Sequence, residues 1–339
     1  MTSWIDAEGK RENRRTVPRH RDPSDVAIHC GDLTTDSVIA DFRSALEQLE
    51  AVRAPLRPAI AGNHDFTLDI AMFRKKAADA RLTDMPGLVV RTYGHYGEVR
   101  ELFETAREHD VHLLDEGTHY FTLANGAVLT VYASPFTLSL GDWGFQFRPN
   151  DGHEFAIAKD TDIVITHGPP AGILDGTADL KQAGSSDLFA AVARARPRLH
   201  CFGHIHESWG AKLVAWRESI SAVSSHLTDV ENGRSTVVDS LQGLGFRTGT
   251  TEDKEEAERL EQKEKLYSEK GSYSTSHCSG DDHGIKHGQN TLFVNAVIEG
   301  DEEHPIQPAW LVDLELPSLF TDESGNSGGN GSIELMKGL

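Results

Sequence analysis

Six polar residues, each beside a glycine or another ligand type, stand out along this 339-residue chain. They are Asp32 in Gly31-Asp32, Asn63 and His64 in Gly62-Asn63-His64-Asp65, His167 in Thr166-His167-Gly168, and His204 with His206 in Gly203-His204-Ile205-His206. A carboxylate, an amide oxygen and imidazoles suit Mn, Fe or Zn better than a cysteine-based structural zinc site. Asp32 can bridge two cations through its two oxygens, and Asn63 adds a neutral oxygen ligand. His204 and His206 address different ions if the backbone turns between them. Two ions held close together would lower the pKa of a shared water, making hydroxide near neutral pH, and would clamp phosphoryl oxygens during in-line displacement. The leaving alkoxide then needs a proton. His64 is placed to supply it, with Asp65 orienting the ring and raising its basicity.

The segments before these clusters explain how they could meet. Val26–Cys30, Arg57–Ala61, Asp162–Thr166 and Arg198–Phe202 each read as a short buried strand ending in one of the clusters. Ligands of open α/β sheets bind just beyond the carboxyl ends of strands, so the four clusters are expected to converge. Between them, Val38, Phe42, Ala45, Leu49 and Val52 recur at helical spacing, with Thr35 or Asp36 as the expected cap. Asp69–Ala80 and Ser186–Arg196 also read as helices, and Val128–Ala133, 291–298 and Trp310–Leu316 as strands. The alternation argues for an α/β architecture.

Composition narrows the partners. With 53 acidic against 33 basic residues and a formal net charge of -20, a phosphate backbone would be repelled, so nucleic acid is not an expected partner. No apolar run reaches the ~20 residues that a bilayer-spanning helix needs, so no membrane partner is expected either. Met1–His20 is charged throughout and does not read as a secretory leader. Three scattered cysteines form no disulfide framework, which makes a reducing cytoplasm the default. The stretch at about 243–289 is Glu/Lys-rich and then Gly, Ser, His and Asp-rich, and reads as a flexible insertion; 321–339 reads as a disordered tail. His277, His283 and His287 within that insertion suggest adventitious metal binding at most, and His29 and His200 inside strands read as packed core residues. Asp175 is open to either a substrate contact or a turn role.

In this order, the four motifs resemble the calcineurin-like metallophosphoesterase superfamily. The wording of His167-Gly-Pro-Pro-Ala-Gly-Ile-Leu-Asp175, His204-Ile-His-Glu-Ser-Trp-Gly210 and Phe293-Val-Asn-Ala296 is similar to the metallophosphoesterase-domain-containing subgroup of animals and fungi. The resemblance implies a four-layer α/β/β/α sandwich over residues 13–320 and a hydrolase acting on a phosphomonoester or phosphodiester through metal-bound hydroxide in a dinuclear site. Carried over by position, Asp32 bridges, Asn63, His167 and His204 complete the second metal, His206 binds the first, and His64 is the general acid. Small phosphate esters or phosphoproteins are the implied substrates.

One part of the family pattern is absent. The family opens on a strand ending in Asp-x-His that carries the remaining ligands of the first metal, whereas no Asp-x-His precedes Asp32 here. The resemblance fades near residue 12, which predicts an atypical segment over 1–12, a fold lacking its first strand, and an incomplete first site left with Asp32 and His206. An altered start accounts for this; a catalytically impaired or dead metal-binding scaffold is the alternative. His20 and Asp22 lie in a Pro18–Pro23 loop with no strand to hold them and read as solvated surface.

Overall fold

The computed structural model describes residues 24–241, 271–299, 307–318 and 329–336, so the reading of residues 1–12 lies outside the described residues. The first half contains β1 (Val26–His29), α1 (Ile39–Ala51), β2 (Arg57–Ala59), α2 (Ile70–Asp79), α3 (Pro86–Tyr93), α4 (Glu98–Ala106), β3 (Val111–Leu113), β4 (Gly117–Thr122) and β5 (Val128–Ser134). A short pair, β6 (Thr137–Leu138) and β7 (Gln146–Phe147), precedes β8 (Ile163–Thr166), α5 (Ser186–Ala195), β9 (Leu199–Phe202), β10 (Gly210–Ala215) and β11 (Thr236–Ser240). The chain closes with β12 (Ser272–Ser276), β13 (Asn290–Asn295), β14 (Ala309–Leu316) and β15 (Gly329–Met336).

Two sheets face each other. One runs β12-β14-β15-β1-β2-β3, the other β11-β10-β13-β9-β8-β5-β4. The period-two alternation of strand side chains sorts the residues into layers. Val26, Ile28 and Cys30 meet Val131, Ile163, Ile165, Leu199 and Cys201 in the core between the sheets. Ala27 and Ala59 point the other way, against Phe42 and Leu49 of α1 and Phe103 of α4. On the opposite outer face, Tyr132, Val164, Phe202 and Phe293 pack on Leu188, Phe189 and Val192 of α5. The result is the expected α/β/β/α order of layers.

The expected helices are present. Asp69 caps α2 by accepting from Met72 N at 3.0 Å, and Ser185 caps α5 by accepting from Leu188 N at 3.2 Å. The start of α1 differs: its N-cap is Val38, with no side-chain bond, and Thr34, Thr35 and Ser37 ahead of it are hydrogen-bonded to the 62–67 loop.

Two expectations are corrected. The tail at 321–339, read as disordered, supplies β15, whose Ile333 is fully buried in the inter-sheet core. This strand lies in the middle of its sheet, parallel to β1 with Val26 opposite Ile333 and antiparallel to β14 with Trp310 opposite Leu335. The position beside β1 is therefore filled from the carboxyl-terminal part of the chain. A Gly, Ser and Asn-rich stretch concealed the short alternating run Ser332-Ile333-Glu334-Leu335-Met336, which gains two ladders at once. The insertion is also partly ordered: Ser272–Ser276 forms an edge strand parallel to β14, and Tyr273 packs on Trp310 with ring centroids 4.5 Å apart. One aromatic anchor on a Ser/Thr strand leaves little hydrophobic signal in sequence. Among the described residues no helix is long and apolar enough to cross a membrane.

Candidate metal centre

β1 and β2 run parallel, as do β8 and β9, and their carboxyl ends deliver the motif loops to one place. Asp32, His167 and His204 each offer a ligand atom within 4.8 Å of the others. His167 Nε2 stands 3.3 Å from Asp32 Oδ2 and 2.9 Å from Asn63 Oδ1, and the His167 and His204 rings are 5.0 Å apart. Four of the five predicted ligands are thus together. His206 does not join that group of mutually close ligand atoms. His206 opens the turn after β9, and its carbonyl accepts from Gln307 Nε2.

The donor geometry fits a divalent cation. His167 Nδ1 lies 3.0 Å from the carbonyl of Cys30, which can only accept, so Nδ1 donates there and Nε2 is the nitrogen turned to the other two donors. A ring nitrogen, a carboxylate and an amide oxygen converging on one point call for a shared positive charge, which a divalent cation can supply. Ligand atoms about 2.1 Å from one ion and at right angles to each other are about 3.0 Å apart, close to the separations found around His167 Nε2.

Backbone conformation makes this packing possible. Gly31 has φ 92°, and Asp32 and His204 adopt the left-handed region with φ 54° and 69°. Non-glycine residues held there carry strain of order 1–3 kcal/mol and cluster at functional sites. Gly62 leaves no room at all: a Cβ there would lie 2.2 Å from Asp32 Oδ1 and 2.7 Å from the His167 ring.

Asp65 plays a part other than the expected one. Its carboxylate accepts from Leu33 N, Gly62 N, Thr34 N and Thr34 Oγ1 at 2.8–3.0 Å, so its acceptor sites are filled by the two ligand loops. It ties the Asp32 loop to the Asn63 loop and does not orient His64. Burial, with the Asp32 carboxylate nearby, pushes its pKa up to about 7 against the pull of those donors. The His64 ring is oriented instead by the carbonyl of Thr35, 2.6 Å from Nδ1, and by Trp143, whose ring centroid lies 4.5 Å away. The backbone N–H of His64 donates to Asp32 Oδ1 at 3.0 Å. With Nδ1 committed to Thr35, Nε2 is the nitrogen available for proton transfer.

Sequence reading missed Thr35 and Trp143. A backbone carbonyl leaves no trace in sequence, whereas Trp143, set between Asp142 and Gly144 in a loop, did carry a signal. His200 is the packed core residue expected: fully buried, Nε2 2.9 Å from Thr166 Oγ1, its pKa pushed down to about 3 by burial. Thr166 Oγ1 in turn donates to Gly168 O and braces the His167 turn. Asp175 has a turn role, accepting from Gly172 N and Gly184 N. His277 is buried with Nδ1 on the carbonyl of His283, and the three insertion histidines form no metal cluster among the described residues.

Comparison with known proteins gives one consistent family. The family described as calcineurin-like phosphoesterase has a sequence model that matches residues 8–208. Metallophosphoesterase domain-containing protein 1 of Homo sapiens is 30% identical over 205 residues, 58% of this chain and 58% of that protein, and the Mus musculus protein matches equally. A protein of Emericella nidulans named probable rhamnogalacturonate lyase C is 30% identical over 209 residues, 60% of this chain but 17% of that protein. The chain thus spans little more than half the length of the animal relatives and a small part of the fungal one.

Proposed function

The chain belongs to the calcineurin-like phosphoesterase family, and from that premise we propose that it is a metal-dependent hydrolase of phosphate esters. The observation that carries the reading is the convergence of the Asp32, Asn63, His167 and His204 donors, with His167 Nε2 facing two oxygens. These four residues would hold a divalent cation, Mn, Fe or Zn by donor type. When bound, such an ion lowers the pKa of water and withdraws charge from a phosphoryl oxygen. The remaining work falls to the chain. His64, fixed through Nδ1 on Thr35, holds at Nε2 the proton that the leaving alkoxide takes, and Trp143 keeps the ring in place. Asp65 holds the two ligand loops in register, and the Cys30 carbonyl, by engaging Nδ1, turns His167 Nε2 inward. A dinuclear centre would recruit His206 with Asp32.

Small phosphomonoesters or phosphodiesters, or a phosphoprotein, are the proposed substrates. The free state of Cys30, Cys201 and Cys278 supports a reducing, cytoplasmic setting. A single group, Asp32, His167 and His204, converges among the His, Cys, Asp and Glu side chains of the described residues, which favours a second reading, a metal-binding member of the fold with little or no catalysis. Purified protein assayed with Mn(II) on p-nitrophenyl phosphate and bis-p-nitrophenyl phosphate separates the two. Hydrolysis that falls about 10²- to 10⁴-fold in His64→Ala, with metal content unchanged, is expected of the enzyme. About one tightly bound ion per chain with no turnover supports the scaffold instead.

A further inference from the structure

A cavity of about 490 Å³ lies between α2, α3 and the loop before β7, walled by Phe66, Phe73, Val89, Tyr93 and Trp143. We propose that it is the leaving-group subsite and takes a flat, ring-bearing, uncharged alcohol portion of the substrate; this rests on the phosphoesterase reading.

Position is the first argument. During hydrolysis water adds its oxygen to phosphorus, the bond from phosphorus to the alcohol oxygen breaks, and that oxygen takes the proton of His64 Nε2. The proton shed by water passes to solvent, from which His64 is recharged. The departing alcohol therefore lies on the His64 side of the site. Trp143 is both the ring against His64 and a wall of the cavity, and Asp36, at the cavity lip, follows the Thr35 that pins His64.

The wall is built into the metal loop and is not a loose flap. Gly144 N donates to Asn63 O at 3.0 Å, and a Cβ at Gly144 would lie 2.8 Å from the Phe66 backbone. Phe145 N donates to Asp69 Oδ2 at 3.1 Å, Trp143 N to Gln146 Oε1 at 3.0 Å, and Lys75 pairs with Asp142. A residue that binds metal and a residue that would bind the leaving group thus share one rigid unit.

Chemistry selects the occupant. The Phe66 ring stands 5.7 Å from Tyr93 and 6.2 Å from both Phe73 and Trp143 in tilted or edge contacts, which suits a further ring. The volume falls within the range of small-molecule sites, about 300–1,000 Å³. Among the lining residues the carboxylates of Asp36, Asp79 and Asp142 outnumber the single ammonium of Lys76, which already rests over Trp143 and Phe66 at 4.2 and 5.1 Å. A leaving group with further negative charge is disfavoured.

The test compares 2-naphthylmethyl phosphate with methyl phosphate, whose alkoxides are similar in basicity, in the native protein and in Thr92→Trp, which fills the cavity from α3. Thr92→Phe serves if the larger ring prevents folding. Burying one ring is worth about 1.5–3 kcal/mol, or roughly 10- to 100-fold. The native protein is expected to show a KM at least about tenfold lower for the naphthyl ester, and Thr92→Trp to abolish that preference without altering methyl phosphate kinetics. An equal effect on both esters, or none, overturns the subsite. If neither ester turns over, hydrolysis of alkyl phosphomonoesters fails as a reading, and calorimetry with 2-naphthylmethylphosphonate and methylphosphonate decides the subsite separately. Tighter binding of the naphthyl compound, lost in Thr92→Trp, supports it; equal affinities refute it.

Discussion

Replacing His200 by phenylalanine should change how stability depends on pH, by an amount the structure sets. The native imidazole is fully buried beside Phe202 and Phe293, with ring centroids 5.0 and 5.5 Å away, and burial pushes its pKa from 6.5 down to about 3. A depressed folded pKa means that the unfolded chain takes up a proton first. The contribution to stability is fully present above the unfolded value and is lost as pH falls toward the folded one. The gap corresponds to about 5 kcal/mol in the limit of low pH, of which about 3 kcal/mol is lost between pH 7 and pH 4. His200→Phe keeps the aromatic packing and removes the titration. It also removes the contact to Thr166 Oγ1, at a cost of about 1 kcal/mol that does not vary with pH. Urea titrations of both proteins at pH 7, 5.5 and 4 measure the effect, provided that the difference between the two proteins is read at each pH, because Asp65 titrates in the same window with the opposite sign. The variant should gain about 3 kcal/mol relative to native on going from pH 7 to pH 4. Parallel stability curves would refute the reasoning, since they would mean that His200 is not held neutral by its burial.

Other perturbations act nearer the metal centre. In metal-free protein the raised Asp65 pKa stabilises the fold fully below about pH 4, and this contribution is lost as pH rises through about 7. Mn(II) offsets the charge of Asp32, so it should lower the midpoint of that loss, as read from melting temperature against pH with and without metal. An unchanged midpoint would contradict the assigned causes. Gly62→Ala forces a methyl to within 2.2 Å of Asp32 Oδ1; overpacking of this kind costs about 1–3 kcal/mol, and calorimetry should show metal affinity reduced by at least tenfold. Ile333→Asp places a carboxylate in the inter-sheet core on a strand paired on both sides. It should destabilise the fold by more than about 3 kcal/mol, whereas a loss below about 1 kcal/mol would show that β15 does not fill the centre of the sheet.

Local sequence carried the donor set. Asp32, Asn63, His167 and His204 were legible because each follows a short run of buried strand residues and adjoins a glycine, and parallel strands bring such ends to one edge. The α/β/β/α layers were legible for a similar reason: alternation along Val26–Cys30 and Asp162–Thr166 assigns each side chain to a core or a helix face. What depended on partners distant in sequence was decided only by the tertiary structure. Asp65 follows His64 directly, yet its oxygens are saturated by amides from residues 33, 34 and 62, so the ring beside it is oriented by a carbonyl from another loop. The polar stretch at 329–336 has weak strand character of its own, and β1 and β14 on either side give it two ladders and a buried place for Ile333. The ligands are chosen by side-chain chemistry, which is local, whereas the slot beside β1 and the saturation of Asp65 arise from hydrogen bonds that exist only once the sheets have formed.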